Sequence, residues 1–434
     1  MFSGIALHKN SYLGLCAALL CAGSMWFYVQ RVLIPYERAD AAAHQRPRGN
    51  LSDLYPRWLG ARELLLRHRN PYADDITTEI QEGYYGRALD PARPNDPRDQ
   101  QGFAYPVYVV FVLAPLIGFP FHGVQIFFYW LLLGLTGASV WLWLRALRWR
   151  LPPLPTAICI AFVMGSFPVV QGIKLEQLTL LVAALLAASV ACVTSEFLFF
   201  GGALLALSTI KPQLAWPLVA WLVLWAVSDW AVRQKFLFGF SLVMVAFVAG
   251  AEFILPGWWR MFAHAIQQYH RYTQNQSVLD VLLPWVFAGK VVAAAAVIVS
   301  GFFLWRVRRA PADSTQFGLG TALVMALAVM VVPMYAPYNQ VLLVPAILVL
   351  ARDRAIVISR FRAIRVISLL AIVALAWQWI ASVGLTIAWF VSPAWALGRW
   401  WLPFIATFAL PVLVFALVLL NAQNAARRSA RVVH

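Results

Sequence analysis

The sequence predicts an all-α polytopic membrane protein with about twelve transmembrane helices, eleven to thirteen, and three observations carry that expectation. Apolar residues make up 62% of the 434 positions and charged residues only 12%, whereas soluble chains carry about a quarter charged residues. Long apolar stretches recur along the chain, and the first, 12–34, is about 23 residues, enough to span a bilayer. The arginines cluster in short segments between or after those stretches: Arg145, Arg148 and Arg150; Arg306, Arg308 and Arg309; Arg352, Arg354, Arg360, Arg362 and Arg365; Arg427, Arg428 and Arg431. Short basic loops lie on the cytoplasmic side. The formal charge of +16 therefore reports topology, and nucleic acid is not expected as a partner.

Taken in order, span 1 (12–34) reads as an uncleaved first helix, too long for a signal-peptide core, although Ala41-Ala42-Ala43 imitates a cleavage site. Its amino terminus is expected inside, and it delivers a polar insert, 35–103, to the outside. That insert holds Glu37, Asp40, Asp53, Glu63, Asp74, Asp75, Glu79, Glu82, Asp90, Asp96 and Asp99, most of the chain's 18 acidic residues. Carboxylates are kept out of hydrocarbon, so their concentration predicts a folded cap over the membrane domain. Leu54, Trp58, Ala61 and Leu65 share one helical face, which predicts an interfacial helix over 54–68. Asn70-Pro71 ends it. Residues 83–103, rich in Gly and Pro, read as irregular loop.

Residues 104–121 are apolar but short and contain Pro106, Pro115 and Pro120. If they spanned, the Arg145–Arg150 cluster would lie outside, so they are expected as an interfacial or re-entrant helix completing a cap loop over 35–122. The spans that follow are 123–144, 154–170, 177–194, 197–211, 213–227, 236–255, 281–305, 317–333, 340–351, 366–390 and 401–421. Those at 197–211, 213–227 and 340–351 are short enough to be broken or re-entrant. A second external loop, 256–280, carries its own interfacial helix around Trp258, Trp259, Phe262 and Ile266. The whole chain, 1–434, reads as a single membrane domain with both termini inside. The four cysteines lie in predicted spans, so no disulfide framework is implied.

This topology brings separate polar groups to one membrane face. Asp53, Arg57, Arg62 and Tyr105 come from the cap; Gln171, Lys174, Glu176 and Gln177 from the turn after 154–170; and Lys211 from the break before Pro212. His264, His270 and Asn275-Gln276-Ser277 come from the second loop, and Tyr338, Asn339 and Gln340 from the turn after 317–333. Asp53 begins a helix, where aspartate is among the best caps, so capping is the rival to any catalytic role. Arg57 and Arg62 also fit a solvated helix surface, and Lys211 a snorkelling span end. The six-residue spacing of His264 and His270 does not suggest metal ligation, and Asn275-Gln276-Ser277 is a formal glycosylation sequon.

Several of these segments form an ordered pattern. Asp53 followed by Trp58-Leu59-Gly60-Ala61-Arg62-Glu63-Leu64-Leu65 and Arg69-Asn70-Pro71-Tyr72, then Phe103-Ala104-Tyr105-Pro106 with Ala114-Pro115-Leu116, resembles the first-loop blocks of glycosyltransferase family 87. Glu176-Gln177-Leu178-Thr179-Leu180-Leu181 resembles the family's glycine-glutamine turn and the span after it, and Gly201-Gly202-Ala203-Leu204 with Ile210-Lys211-Pro212-Gln213 resembles its glycine-rich helix ending in lysine-proline. Asn275-Gln276-Ser277 and Tyr338-Asn339-Gln340-Val341-Leu342-Leu343 also have family counterparts. The likeness covers roughly 50–350. Glu176 stands where that family often has glycine, Asn339 where aspartate is common and Val107 where a second proline is common.

The resemblance implies a GT-C-type membrane enzyme that moves a hexose, mannose first, from a polyprenyl-phosphate donor to an extracytoplasmic glycan or glycolipid acceptor, with inversion, in a bacterial-type cytoplasmic membrane. It makes Asp53 the general base and sets Lys211, Arg57 and Arg62 against the lipid phosphate. Tyr105, Gln177 and Asn339 become contacts to sugar or phosphate. No cofactor or metal ligand is called for, a divalent cation being left open. The alternative is a transporter or flippase of envelope lipids or glycans, which would need ionisable residues near the midplane of its spans. Glu252, the clearest internal acid, lies near a span end. A non-catalytic assembly protein would leave the acid-rich cap without a task.

Overall fold

A computed structural model describes the chain apart from residues 1, 48, 50, 51, 91, 274, 275, 284, 286, 334, 354–360 and 433–434, and apart from the side chains of 2–11, 272–273 and 426–432. Asn275 of the sequon and Arg354 and Arg360 of the third arginine cluster thus lie outside the described residues. Among those described, the regular structure is helical throughout.

The first helix, α1 (Phe2–Tyr28), runs through a π-helical turn at Val29–Leu33 straight into α2 (Ile34–Ala43). The polar insert therefore does not begin at Pro35. Pro35 occupies the first turn of α2, and the wider π turn before it absorbs the missing proline N–H. The tripeptide Ala41-Ala42-Ala43 is helical.

The cap follows as α3 (Tyr55–Arg67) and α4 (Asp74–Tyr85). Helix α4 was not anticipated, yet Ile76, Ile80 and Tyr84 are buried at i, i+4 and i+8, and Gly86 ends it at φ +82°. Arg69 binds Glu63 at 2.9 Å, Asp75 at 2.8 Å and Glu79 at 2.6 Å, stapling the two cap helices. Arg87 holds Asp96 at 2.5 Å within the loop, and Lys174 holds Glu37 at 2.8 Å, tying α2 to the bundle. Much of the cap's acidity is thus structural. The stretch 104–121 is not one helix but a five-residue helix, α5 (Val109–Leu113), with a 3₁₀ turn at Ala114–Leu116. Its prolines remove the amide donors that a longer helix needs.

The bundle comprises α6 (Phe121–Ala146), α7 (Pro153–Met164), α8 (Phe167–Lys174), α9 (Leu178–Thr194), α10 (Leu198–Ser208), α11 (Pro212–Val227) and α12 (Trp230–Ile254). Next come α13 (Trp258–Thr273), α14 (Val278–Leu282), α15 (Ala288–Val307), α16 (Thr315–Val331), a 3₁₀ segment at Pro337–Leu343, α17 (Val344–Arg352), α18 (Arg362–Val391), α19 (Pro393–Leu397) and α20 (Ala409–Val432). The span expected to start at 281 starts at Ala288, after the short α14. Helix α16 sits at the centre, every residue from Phe317 to Met330 being buried. Helices α10 and α12 touch backbone to backbone. A Cβ on Gly202 would lie 2.0 Å from the Phe236 carbonyl oxygen, and one on Gly239 would lie 2.1 Å from that of Phe199. Small residues permit such close approach where lipid supplies no hydrophobic drive.

Among the described residues six helices are long and apolar enough to cross a membrane, and the α7–α8 pair, bent by 58°, makes a seventh if counted as one span. The five remaining expected spans coincide with shorter apolar helices at Leu178–Thr194, Leu198–Ser208, Pro212–Val227, Thr315–Val331 and Pro337–Arg352.

Candidate active site

Three consecutive residues in the turn between α8 and α9 pin the start of the cap. The Asp53 amide donates to the Leu175 carbonyl at 2.9 Å, the Ser52 hydroxyl donates to Glu176 Oε2 at 2.5 Å, and Gln177 Nε2 donates to Asp53 Oδ2. Helix α3 takes Leu54 as its N-cap and has no side-chain capping bond. The capping role for Asp53 is therefore overturned: its carboxylate is held from α9 rather than spent on its own helix. Glu176 adopts φ +51°, a left-handed conformation that glycine takes without strain. This gives a physical reason for glycine in the family pattern at that position.

Around Asp53 lies a cavity of about 380 Å³. Arg57, one turn along α3, donates to the Asp53 carbonyl at 2.5 Å and places its guanidinium 4.5 Å from the centre of the Tyr105 ring. Tyr105 is fixed from behind, because Tyr72 donates its hydroxyl to the Tyr105 carbonyl at 2.6 Å. Lys211, just before Pro212 of α11, is buried and donates to Gln177 Oε1 at 3.1 Å and to Thr179 Oγ1 at 2.7 Å. Thr179 in turn donates to Asn339 Oδ1 at 3.2 Å. Asp53, Arg57, Tyr105, Gln177, Lys211 and Asn339 thus line one cavity, although they stand up to 286 positions apart in sequence.

Arg62 does not join them. It follows Arg57 by five residues, about 140° round the helix, and its guanidinium lies over Trp58 at 5.3 Å. The cavity also takes in His270 from α13 and Tyr338 beside Asn339, which the sequence grouped on this face without a role, and Asp99 and Gln101 from the cap loop and Tyr269 from α13, which it did not place there. Thr179, which links Lys211 to Asn339, was visible only as part of the Gln177-Leu178-Thr179 block. Among the described residues no three His, Cys, Asp or Glu side chains come together as a metal site.

The cavity has two characters. Its inner end carries Asp53, Arg57, Lys211 and the amides, while Trp216, Phe262, Ile266, Val332 and Pro333 form an apolar side. Trp216 is 57% exposed, on the outer surface of α11. Burial pushes the Asp53 carboxyl up to about 6; Arg57, Lys211 and the Gln177 bond pull against that, and Asp99 adds to it. Burial likewise lifts Glu176 to about 7, against its bonds from Ser52 and Gln125 and with the Asp53 charge adding to the rise. Glu252, at the end of α12, accepts from the Gly257 amide at 2.8 Å, so it serves a turn.

The profile of glycosyltransferase family 87 matches residues 103–333. The chain belongs to glycosyltransferase family 87. Searches of curated proteins and of solved structures returned no match. The matched range takes in Tyr105, Gln177, Lys211, Tyr269 and His270; Asp53, Arg57 and Asn339 lie outside it but reach the same cavity. For a family 87 glycosyltransferase, the arrangement offers what glycosyl transfer asks for: a carboxylate able to accept a proton near neutral pH and cations where a leaving group develops charge.

Proposed function

We propose that this glycosyltransferase takes a hexose, mannose first, from a polyprenyl phosphate and transfers it with inversion to a hydroxyl of a glycan or glycolipid on the extracytoplasmic face of a bacterial-type cytoplasmic membrane. The observation that carries this reading is the two-sided cavity. A headgroup of sugar and phosphate fits its polar end, and a prenyl chain leaving that end meets Phe262, Ile266 and the outward-facing Trp216.

In this mechanism Asp53 takes the acceptor proton as the hydroxyl oxygen attacks the anomeric carbon, and the bond from that carbon to the phosphate oxygen breaks. Lys211 and Arg57 offset the charge gathering on the departing phosphate. Gln177 bridges Asp53 and Lys211, holding base and cation at a fixed separation, and Asn339 and Tyr105 contact sugar or phosphate. The five shorter helices complete twelve crossings, with both termini inside. Their packing against α16 and against one another removes the need for each to match the full lipid thickness.

The test is direct. Purified enzyme in lipid nanodiscs, given a labelled polyprenyl-phosphate hexose and a panel of glycolipid acceptors, transfers the label, whereas a nucleotide-linked hexose gives no product. Transfer from the nucleotide donor alone contradicts the lipid-phosphate reading.

A further inference from the structure

Helix α13 covers the cavity, and its polar residues there have no task in the mechanism so far. Phe262, Ile266, Tyr269 and His270 all line the cavity, and their spacing puts them within about 100° of one another round the helix. Along that face the character changes from apolar to polar over about 12 Å, the order in which a prenyl chain gives way to its phosphate.

Two nitrogens in this cavity are buried with no hydrogen-bond partner among the described residues: Arg57 Nε and His270 Nδ1. Buried polar atoms are rarely left unpaired, and one that is calls for a ligand or another explanation. Lys211 does not fill this gap. Its ammonium already donates to Gln177 and Thr179 and is hydrogen-bonded with Tyr105. With three N–H donors in all, it offers the ligand charge more than free hydrogen bonds. Arg57 is likewise committed at one end to the Asp53 carbonyl.

We propose that His270 is a further catalytic residue of this transferase, donating a ring N–H to a phosphate oxygen of the lipid donor beside Arg57 Nε. The inference rests on the lipid-phosphate donor reading. No bond to His270 forms or breaks and its proton stays on the ring; the hydrogen bond strengthens as charge develops on the departing phosphate.

Binding of two probes to the full-length protein in nanodiscs tests this: a polyprenyl phosphate, which is the leaving product, and the matching neutral polyprenol. His270→Phe keeps a ring of similar size without nitrogen. It is expected to weaken polyprenyl phosphate roughly ten- to a hundredfold, the loss of one charge-assisted hydrogen bond, and to leave polyprenol binding unchanged. His270→Gln, with an amide donor, recovers part of the loss. Wild-type affinity for the phosphate in His270→Phe overturns the role of His270, as does equal weakening of both lipids, which marks a packing residue. If the wild-type protein binds the two lipids equally, the donor reading falls and takes this role with it.

Discussion

At the scale of single residues, the decisive feature is that Asp53 is held by a neighbouring helix instead of its own. A carboxyl raised to about 6 accepts a proton better than an ordinary aspartate while remaining ionised at neutral pH. Transfer activity is therefore expected to fall as pH drops through about 6, which initial rates between pH 5 and 8 will show. The same shift has a stability consequence of opposite sense. An acid whose folded value is raised above its ordinary 3.8 contributes stability below that value and loses it as pH rises through about 6. Asp53→Asn is thus expected to be inactive yet to melt no lower than wild type at pH 7.5, measured by thermal unfolding in detergent. The Ser52–Glu176 bond holds the backbone next to Asp53. Ser52→Ala and Glu176→Ala should each lower kcat severalfold with little change in donor KM, and the double variant should be no worse than the weaker single, because both remove one interaction. Additive losses would mean that the two side chains serve separate purposes.

Secondary-structure elements were legible where composition alone decides them. Apolar runs bounded by basic loops marked the bundle helices, since lipid forces every backbone amide to be paired within its own segment. The cap was harder to read. Helix α4 carries an apolar stripe of only Ile76, Ile80 and Tyr84 amid acidic residues, and its partner charge, Arg69, lies before it in sequence. The run at 104–121 looked like a helix by hydropathy and was cut short by its prolines. Among site residues, Arg57 and Arg62 could not be separated by residue type; only the start and phase of α3 put one in the cavity and the other over Trp58. Asp99 stood out only as one acid among many, and His270 was grouped with the external polar residues without a role, because their approach to Asp53 depends on how an irregular loop and an amphipathic helix fold over it. The α10–α12 contact yields a prediction at this scale. Gly202→Val or Gly239→Val drives a side chain into backbone, which cannot move aside as a flexible side chain can. Each is expected to cost about 3 kcal/mol or more, seen as loss of monodisperse protein or a lowered melting temperature; near-wild-type stability would contradict the packing described.

The whole molecule is an apolar bundle that carries a polar cap on one face, with the candidate site at their junction. Five of the insert's acidic residues, Glu37, Glu63, Asp75, Glu79 and Asp96, serve as staples to Arg69, Arg87 and Lys174, so charge density alone does not single out a candidate base. Position at the seam between cap and bundle is what sets Asp53 apart from them. Membership of glycosyltransferase family 87 supplies the reaction class, and the two-sided cavity supplies the case for a lipid-linked donor. The measurement that bears most directly on this account is single-turnover transfer from a labelled polyprenyl-phosphate hexose by wild type and Asp53→Asn, with binding of the lipid donor followed in parallel. The expected result is a loss of about a hundredfold or more in the transfer step with donor binding retained. Transfer by Asp53→Asn at the wild-type rate would show that the base lies elsewhere.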